Sequence, residues 1–198
     1  MQEALETLPA IAETFEIIAV NDGSRDRTRE IADRLAAEHP GVVRAIHHDV
    51  NRGYGGALRS GFEASRYELL AFTDGDRQFR IEDIARLTER LAASDHPGVV
   101  VGYRIKRADP LIRIVYARTY KLANRIFYGL RERDVDCACK LFRRETLQEV
   151  LPRLHEERFA FDLEFFVAAK AAGHRRLHAA PIHLSERLSG STVTTKSI

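Results

Sequence analysis

Asp74 and Asp76 flank a glycine immediately after a short apolar run, and Gln78 follows two residues later. Two carboxylates one residue apart on a turn can both reach one hard cation, and Mg²⁺ or Mn²⁺ typically takes one or two protein carboxylates together with phosphate oxygens. Gln78 adds a neutral oxygen to that set. The same residues would also make a solvated Asx-type turn, so the motif gains meaning only from its company.

Three other groupings supply company. The loop Asn51-Arg52-Gly53-Tyr54-Gly55-Gly56 is rich in glycine, yet a dinucleotide fingerprint requires Gly or Ala where Leu58 stands. Its glycines serve either phosphate contact or close packing of loop on helix. From Arg104 to Arg133 nine basic residues face only Asp109 and Glu132, a local +7 interleaved with Ile112, Tyr116, Tyr120, Ile126 and Phe127. That pattern suits an interfacial helix or an anion-binding wall, and equally an amphipathic helix with a solvated basic face. Asp162 and Glu164 lie among Phe159, Phe161, Phe165 and Phe166, where carboxylates can act as general bases or simply complement a helix N-terminus. The adjacent His47 and His48 point to opposite faces of a strand, and Cys137 and Cys139 lack partners at zinc spacing.

The elements that hold these residues follow from periodicity. Helical spacing runs over 2–14, followed by a β-branched strand from Glu16 to Val20 and a turn-rich stretch, Asn21-Asp22-Gly23-Ser24, where Ser24 or Asp26 can cap the next helix. That helix ends before Pro40. Strands at Val42 to Ile46, Glu68 to Thr73 and Val99 to Val101 alternate with helices ending near Ala64 and carrying Ile81, Ile84, Leu87 and Leu91. A helix at 111–130, a strand at 138–142, a helix at 161–172 and a strand near 176–183 complete the pattern. This order predicts an α/β fold with a largely parallel sheet between helices, whose ligands bind at the carboxyl ends of the strands. One domain over 1–184 and a mobile tail over 185–198 are expected.

Composition narrows the function. The 198 residues carry 31 Lys and Arg against 29 Asp and Glu, a net +2 too balanced for nucleic-acid binding through global charge. Apolar runs such as Ile17 to Val20 fall far short of the roughly 18 residues a membrane span needs. Two cysteines one residue apart cannot staple distant elements, which points to the cytosol. Any membrane contact is expected to be peripheral.

In chain order the motifs are Asn21-Asp22-Gly23-Ser24-x-Asp26-x-Thr28, Asn51-x-Gly53-x-Gly55-x-Ala57, Asp74-x-Asp76-x-Gln78, Gly102-Tyr103-Arg104, Phe161-Asp162-x-Glu164 and Arg187-x-x-Gly190-Ser191. Together, across about residues 1–192, they resemble family 2 glycosyltransferases of the GT-A fold. Within that family the chain is most similar to the dolichol-phosphate mannose synthase and polyprenyl-phosphate glycosyltransferase branch. The resemblance implies a Rossmann-like, mostly parallel sheet with helices on both faces. It also implies an inverting transfer of a hexose from a GDP- or UDP-sugar to a lipid phosphate at the cytosolic membrane face.

Laid on single residues, the resemblance assigns Asp22 to the nucleotide base, with Ser24 and Asp26 shaping its loop and Asn51 and Gly53 in the same nucleotide-sugar site. It assigns Asp74, Asp76 and Gln78 to Mg²⁺ or Mn²⁺ and the diphosphate. Arg104, Arg113, Arg187 and Ser191 would hold donor or acceptor phosphate, and Asp162 with Glu164 would be the catalytic acidic pair beside the acceptor. The sequence departs from the family in three places. It opens at a helix rather than at the usual first strand with its Pro-x-x-Asn-Glu loop, which would expose apolar sheet edges. Ala138-Cys139 replaces Gly-Phe, and Thr192 stands where many relatives have Lys. A nucleotidyltransferase, or a remnant that binds without turnover, is the alternative reading.

Overall fold

The computed structural model describes residues 1–76, 78–93, 98–104, 111–130, 134–135, 137–158, 160–174 and 178–183, with the backbone alone for 111–114. Six strands result: β1 (Ile17–Asp22), β2 (Val43–His48), β3 (Leu69–Thr73), β4 (Val99–Arg104), β5 (Cys139–Arg143) and β6 (His178–Ile182). The helices are α1 (Gln2–Thr7), α2 (Thr28–Glu38), α3 (Tyr54–Ala64), α4 (Asp83–Ala92), α5 (Leu111–Phe127), α6 (Arg144–Val150) and α7 (Phe161–Ala171).

Two sheets form. β1 and β2 run parallel with Ile17 opposite Val43 and Asp22 opposite His48. The other sheet has the order β3-β5-β4-β6, in which β4 and β6 are parallel. β5 runs antiparallel to both of its neighbours, a direction that an apolar run does not encode.

Helix α3 bridges the two sheets. A Cβ on Gly61 would stand 3.4 Å from Cγ2 of Val20 in β1, and the next residue, Phe62, packs edge-on against Phe72 of β3 and Phe142 of β5. Among the described residues no ladder joins β1 to β3 and each pairs on one side only, and Leu69 is 39% exposed. Glu16 ties the starts of these strands together by accepting from the Arg66 amide at 2.6 Å and from the guanidinium groups of Arg44 and Arg66.

The core lies under the four-stranded sheet. Phe72 stacks on Phe142 at 5.9 Å, and Phe142 meets Phe165 of α7 at 5.0 Å. Burying each such ring contributes about 1.5–3 kcal/mol, with about 0.5–1.5 kcal/mol more for each well-placed aromatic pair.

Element ends differ from the periodicity where local chemistry intervenes. The first helix stops at Thr7 because Pro9 enters a 3₁₀ turn over Leu8–Ala10. α5 ends at Phe127 rather than 130: Gly129 adopts φ +64°, and Lys170 Nζ donates to the carbonyls of Tyr128 and Gly129 at 2.9 Å. α6 is an addition; seven residues show too little periodicity to read, although Thr146, Leu147 and Val150 are buried. The expected tail, residues 185–198, lies outside the described residues.

α5 is the outlier in packing. Residues 115–122 are all exposed, including Val115, Tyr116, Tyr120 and Leu122, and so are Ile126 and Phe127. At 100° per residue these side chains fill one half of the helix, with Arg118, Lys121 and Arg125 on the other. No helix among the described residues is long and apolar enough to cross a membrane.

Candidate functional site

Asp22 ends β1, and its carboxylate organises the glycine loop. Oδ1 accepts from the Arg52 amide at 2.8 Å and from His48 Nδ1 at 2.7 Å, and Oδ2 accepts from the Gly53 amide at 2.8 Å. Asn51 Nδ2 donates to the Asp22 carbonyl at 3.0 Å. Burial acts to raise the Asp22 carboxyl, but the Arg52 amide, the His48 imidazole and the Gly53 amide more than offset it and hold the group below its usual range. A carboxylate offers about four acceptor positions, so with three used about one is left for a ligand donor.

The histidines orient this loop from both faces of the sheet, as their alternation requires. His48 reaches toward α3, with Nε2 2.9 Å from Ser60 Oγ. His47 reaches toward α2, with Nε2 donating to Asp33 at 2.8 Å and Nδ1 accepting from Asn21. Asn21 in turn accepts from the Ser24 amide, and the exposed Asp26 accepts from the Thr28 amide. The sequence signal for His48 was its place opposite Asp22, visible only once the parallel register is known.

The glycines serve close packing. Gly53 has φ +90°, and a Cβ there would sit 2.6 Å from the Glu157 carbonyl oxygen; one on Gly55 would meet the Phe161 ring at 2.7 Å. The Gly56 amide donates to the Glu157 carbonyl at 3.0 Å, so this first-turn donor of α3 is spent on protein. Glu164 braces the partner loop: its carboxylate accepts from the amides of His155 and Glu156 at 2.8–3.0 Å. Its expected role beside an acceptor competes with this structural one.

Asp74 and Asp76 lie on the turn after β3, where Asp76 Oδ1 accepts from the Gln78 amide at 3.0 Å. Among the described residues no cluster of three or more His, Cys, Asp or Glu could hold a metal by itself. Two hard carboxylates on one turn still fit a Mg²⁺- or Mn²⁺-type ion whose remaining positions go to phosphate and water.

Asp162, in the first turn of α7, is buried. Its Oδ1 accepts from Lys140 Nζ at 2.8 Å and its Oδ2 from the Tyr54 hydroxyl at 3.1 Å. Burial first, then the charges of Asp162 and Asp74, push the Tyr54 phenol far up, so it remains a donor. Asp162 and Glu164 thus face different partners. Lys140 and Tyr54 were missed from sequence; the signal was a lysine within the apolar run Cys137 to Phe142.

Arg104, at the end of β4, makes a bidentate pair with Asp134 at 2.6 and 2.7 Å. The side chain of Arg113 and all of Arg187 and Ser191 lie outside the described residues. Cys137 and Cys139 are free and buried. Burial, then Asp134, pushes the Cys137 thiol up to about 11, and burial, then Cys137, pushes that of Cys139 up to about 12, which marks them as structural.

Comparisons with known proteins bear on the family and the fold. Glycosyltransferase AglD of Haloferax volcanii is 35% identical over 176 residues, covering 86% of this chain and 28% of that protein. The human dolichyl-phosphate beta-glucosyltransferase is 31% identical over 173 residues, covering 79% of this chain and 52% of its own length. The chain thus spans about half or less of the length of these relatives. Glucosyl-3-phosphoglycerate synthase of Mycobacterium tuberculosis, solved with Mn²⁺, UDP-glucose and phosphoglyceric acid, superposes with a TM-score of 0.72 at 15% identity, over 96% of this chain and 67% of that one. The fold is accordingly GT-A-like. Because the glycosyl transferase family 2 profile matches residues 1–151, the chain belongs to that family.

Proposed function

We propose that this protein is an inverting, metal-dependent glycosyltransferase that moves a hexose from a UDP- or GDP-sugar to a polyprenyl phosphate at the cytosolic face of a membrane. The observation that carries the reading is that Tyr54, next to the Gly53 amide held by Asp22, donates to Asp162 and packs on Phe72, two residues before Asp74. Relatives named dolichyl-phosphate beta-glucosyltransferase and undecaprenyl-phosphate 4-deoxy-4-formamido-L-arabinose transferase support a lipid-phosphate acceptor.

In this reading Asp22 spends its remaining acceptor position on the nucleotide base, beside Asn51 and Gly53. Asp74 and Asp76, with Gln78, hold Mg²⁺ or Mn²⁺; when bound, the ion neutralises charge on the departing nucleoside diphosphate. Arg104, with Arg113, Arg187 and Ser191, contributes to phosphate binding, and for Arg104 that means exchanging Asp134 for phosphate. A phosphate acceptor is already anionic at neutral pH, so Asp162 orients it without taking a proton. The exposed apolar half of α5, backed by Arg118, Lys121 and Arg125, rests on an anionic bilayer and brings the cleft to the acceptor.

A panel of radiolabelled UDP- and GDP-sugars, incubated with dolichyl or undecaprenyl phosphate and Mn²⁺ or Mg²⁺, tests the reading. Label in the lipid extract with release of free nucleoside diphosphate is expected. Transfer of the nucleotidyl group, or binding of a sugar nucleotide without any transfer, would overturn it.

A further inference from the structure

Lys140 is a cost that stability alone does not explain. Its side chain is 1% exposed in the middle of β5, between the rings of Phe72 at 5.1 Å and Phe166 at 5.6 Å. Replacing a buried ion pair by well-packed apolar groups is often neutral or stabilising, so an ammonium here needs a further reason. Its contacts supply one. Nζ donates to the Cys137 carbonyl at 2.6 Å and to Asp162 Oδ1 at 2.8 Å, and Asp162 Oδ2 holds the Tyr54 hydroxyl. Phe72 lies directly opposite Lys140 in the β3–β5 ladder, two residues before Asp74. One lysine therefore links α7, the first turn of α3 and the strand that ends in the Asp-x-Asp turn.

We propose that Lys140 is a positioning residue for glycosyl transfer: it fixes Asp162, and through it Tyr54, so that the acceptor phosphate is aligned with the donor held at Asp74 and Asp76. This rests on the glycosyltransferase reading above. The pairing also makes that reading electrostatically workable. A lone buried carboxylate would repel an anionic phosphate, whereas the Lys140–Asp162 pair has no net charge and presents a fixed dipole. With one oxygen held by an ammonium and the other by a phenol, Asp162 is an orienting group and not a proton acceptor. Tyr54 stays a donor for the reasons given above, so both hydrogen bonds run into Asp162, one from Lys140 and one from Tyr54.

The test compares Lys140→Met, Asp162→Asn, the double variant and Tyr54→Phe, using three readouts: melting temperature, UDP- or GDP-sugar affinity by calorimetry with Mn²⁺, and kcat for transfer to polyprenyl phosphate. Each of the first two single variants leaves a buried polar or charged group without its partner and lowers the melting temperature. The double variant removes both charges, and its melting temperature returns to within about 3 °C of the wild type. In that folded protein the donor affinity stays within about threefold of the wild type while kcat is lower by about 10²-fold, the cost of misplacing reacting groups by about 1 Å. Tyr54→Phe reproduces part of the kcat loss with unchanged donor affinity. A double variant with wild-type stability and kcat within about fivefold of the wild type would show that the pair serves folding alone and would overturn the proposal. So would melting losses that add in the double variant, because uncoupled groups cannot position one another. Wild-type protein that transfers no sugar to any polyprenyl phosphate refutes the glycosyltransferase reading itself, an outcome separate from these.

Discussion

Asp22→Asn is the sharpest probe of the glycine loop, because the substitution keeps the side-chain shape and changes only its hydrogen-bonding character. The native carboxylate accepts three donors, the amides of Arg52 and Gly53 and His48 Nδ1, at 2.7–2.8 Å. An asparagine presents one acceptor oxygen and one NH₂, so at least one of these donors meets another donor. Hydrogen bonds to a charged group contribute about 1.5–3 kcal/mol each, and with partial solvent access we take about 2 kcal/mol for the net loss. For a chain of this size that lowers the melting temperature by about 4–8 °C. If the loop must instead be re-formed when the donor binds, the same energy reappears as donor affinity weakened by up to about 30-fold. Differential scanning calorimetry and titration calorimetry with UDP-glucose and Mn²⁺ measure both. Because the folded Asp22 carboxyl is held below its unfolded value, its contribution is complete above about pH 5 and is lost as pH falls through the folded pKa, so the gap between the two proteins closes in acid. A melting temperature within about 1 °C of the wild type at neutral pH, together with unchanged donor affinity, would refute the assignment of this carboxylate to the loop.

Three further outcomes are expected. Asp76→Ala lowers metal-dependent turnover by about 10²–10³, with Asp74→Ala nearly as severe, and activity of Asp76→Ala within a few-fold of the wild type would count against the metal assignment. Glu16→Gln lowers the melting temperature at neutral pH. The Glu16 carboxyl is pushed up by burial but pulled down further by the Arg66 amide and by Arg44 and Arg66, so the difference is full above about pH 5 and closes as pH falls below about 4. Reversal of Arg118, Lys121 and Arg125 to Glu abolishes flotation with anionic vesicles, and wild-type binding weakens as salt shortens the Debye length to about 3 Å at 1 M; equal flotation of wild-type protein with neutral and anionic lipid would remove the bilayer from the account of α5.

Apart from α6 and the early end of α1, periodicity in the sequence was enough to place the helices and strands within a few residues, since apolar spacing is a local property that burial imposes residue by residue. Motif order was enough to indicate the family. Strand direction was not legible: β5 shows the same apolar run whichever way it enters the sheet, and only the path of the chain from α5 sets it antiparallel. Partnership among charges was equally hidden. Asp162 and Glu164 are two residues apart on one helix turn, yet one is buried against Lys140 and Tyr54 while the other braces the amides of His155 and Glu156. His48 meets Asp22 across 26 residues, Lys140 meets Asp162 across 22, and Tyr54 meets Asp162 across 108. Such pairings decide which carboxylates remain open to a ligand, and they depend on distances through space that residue types and local spacing do not carry.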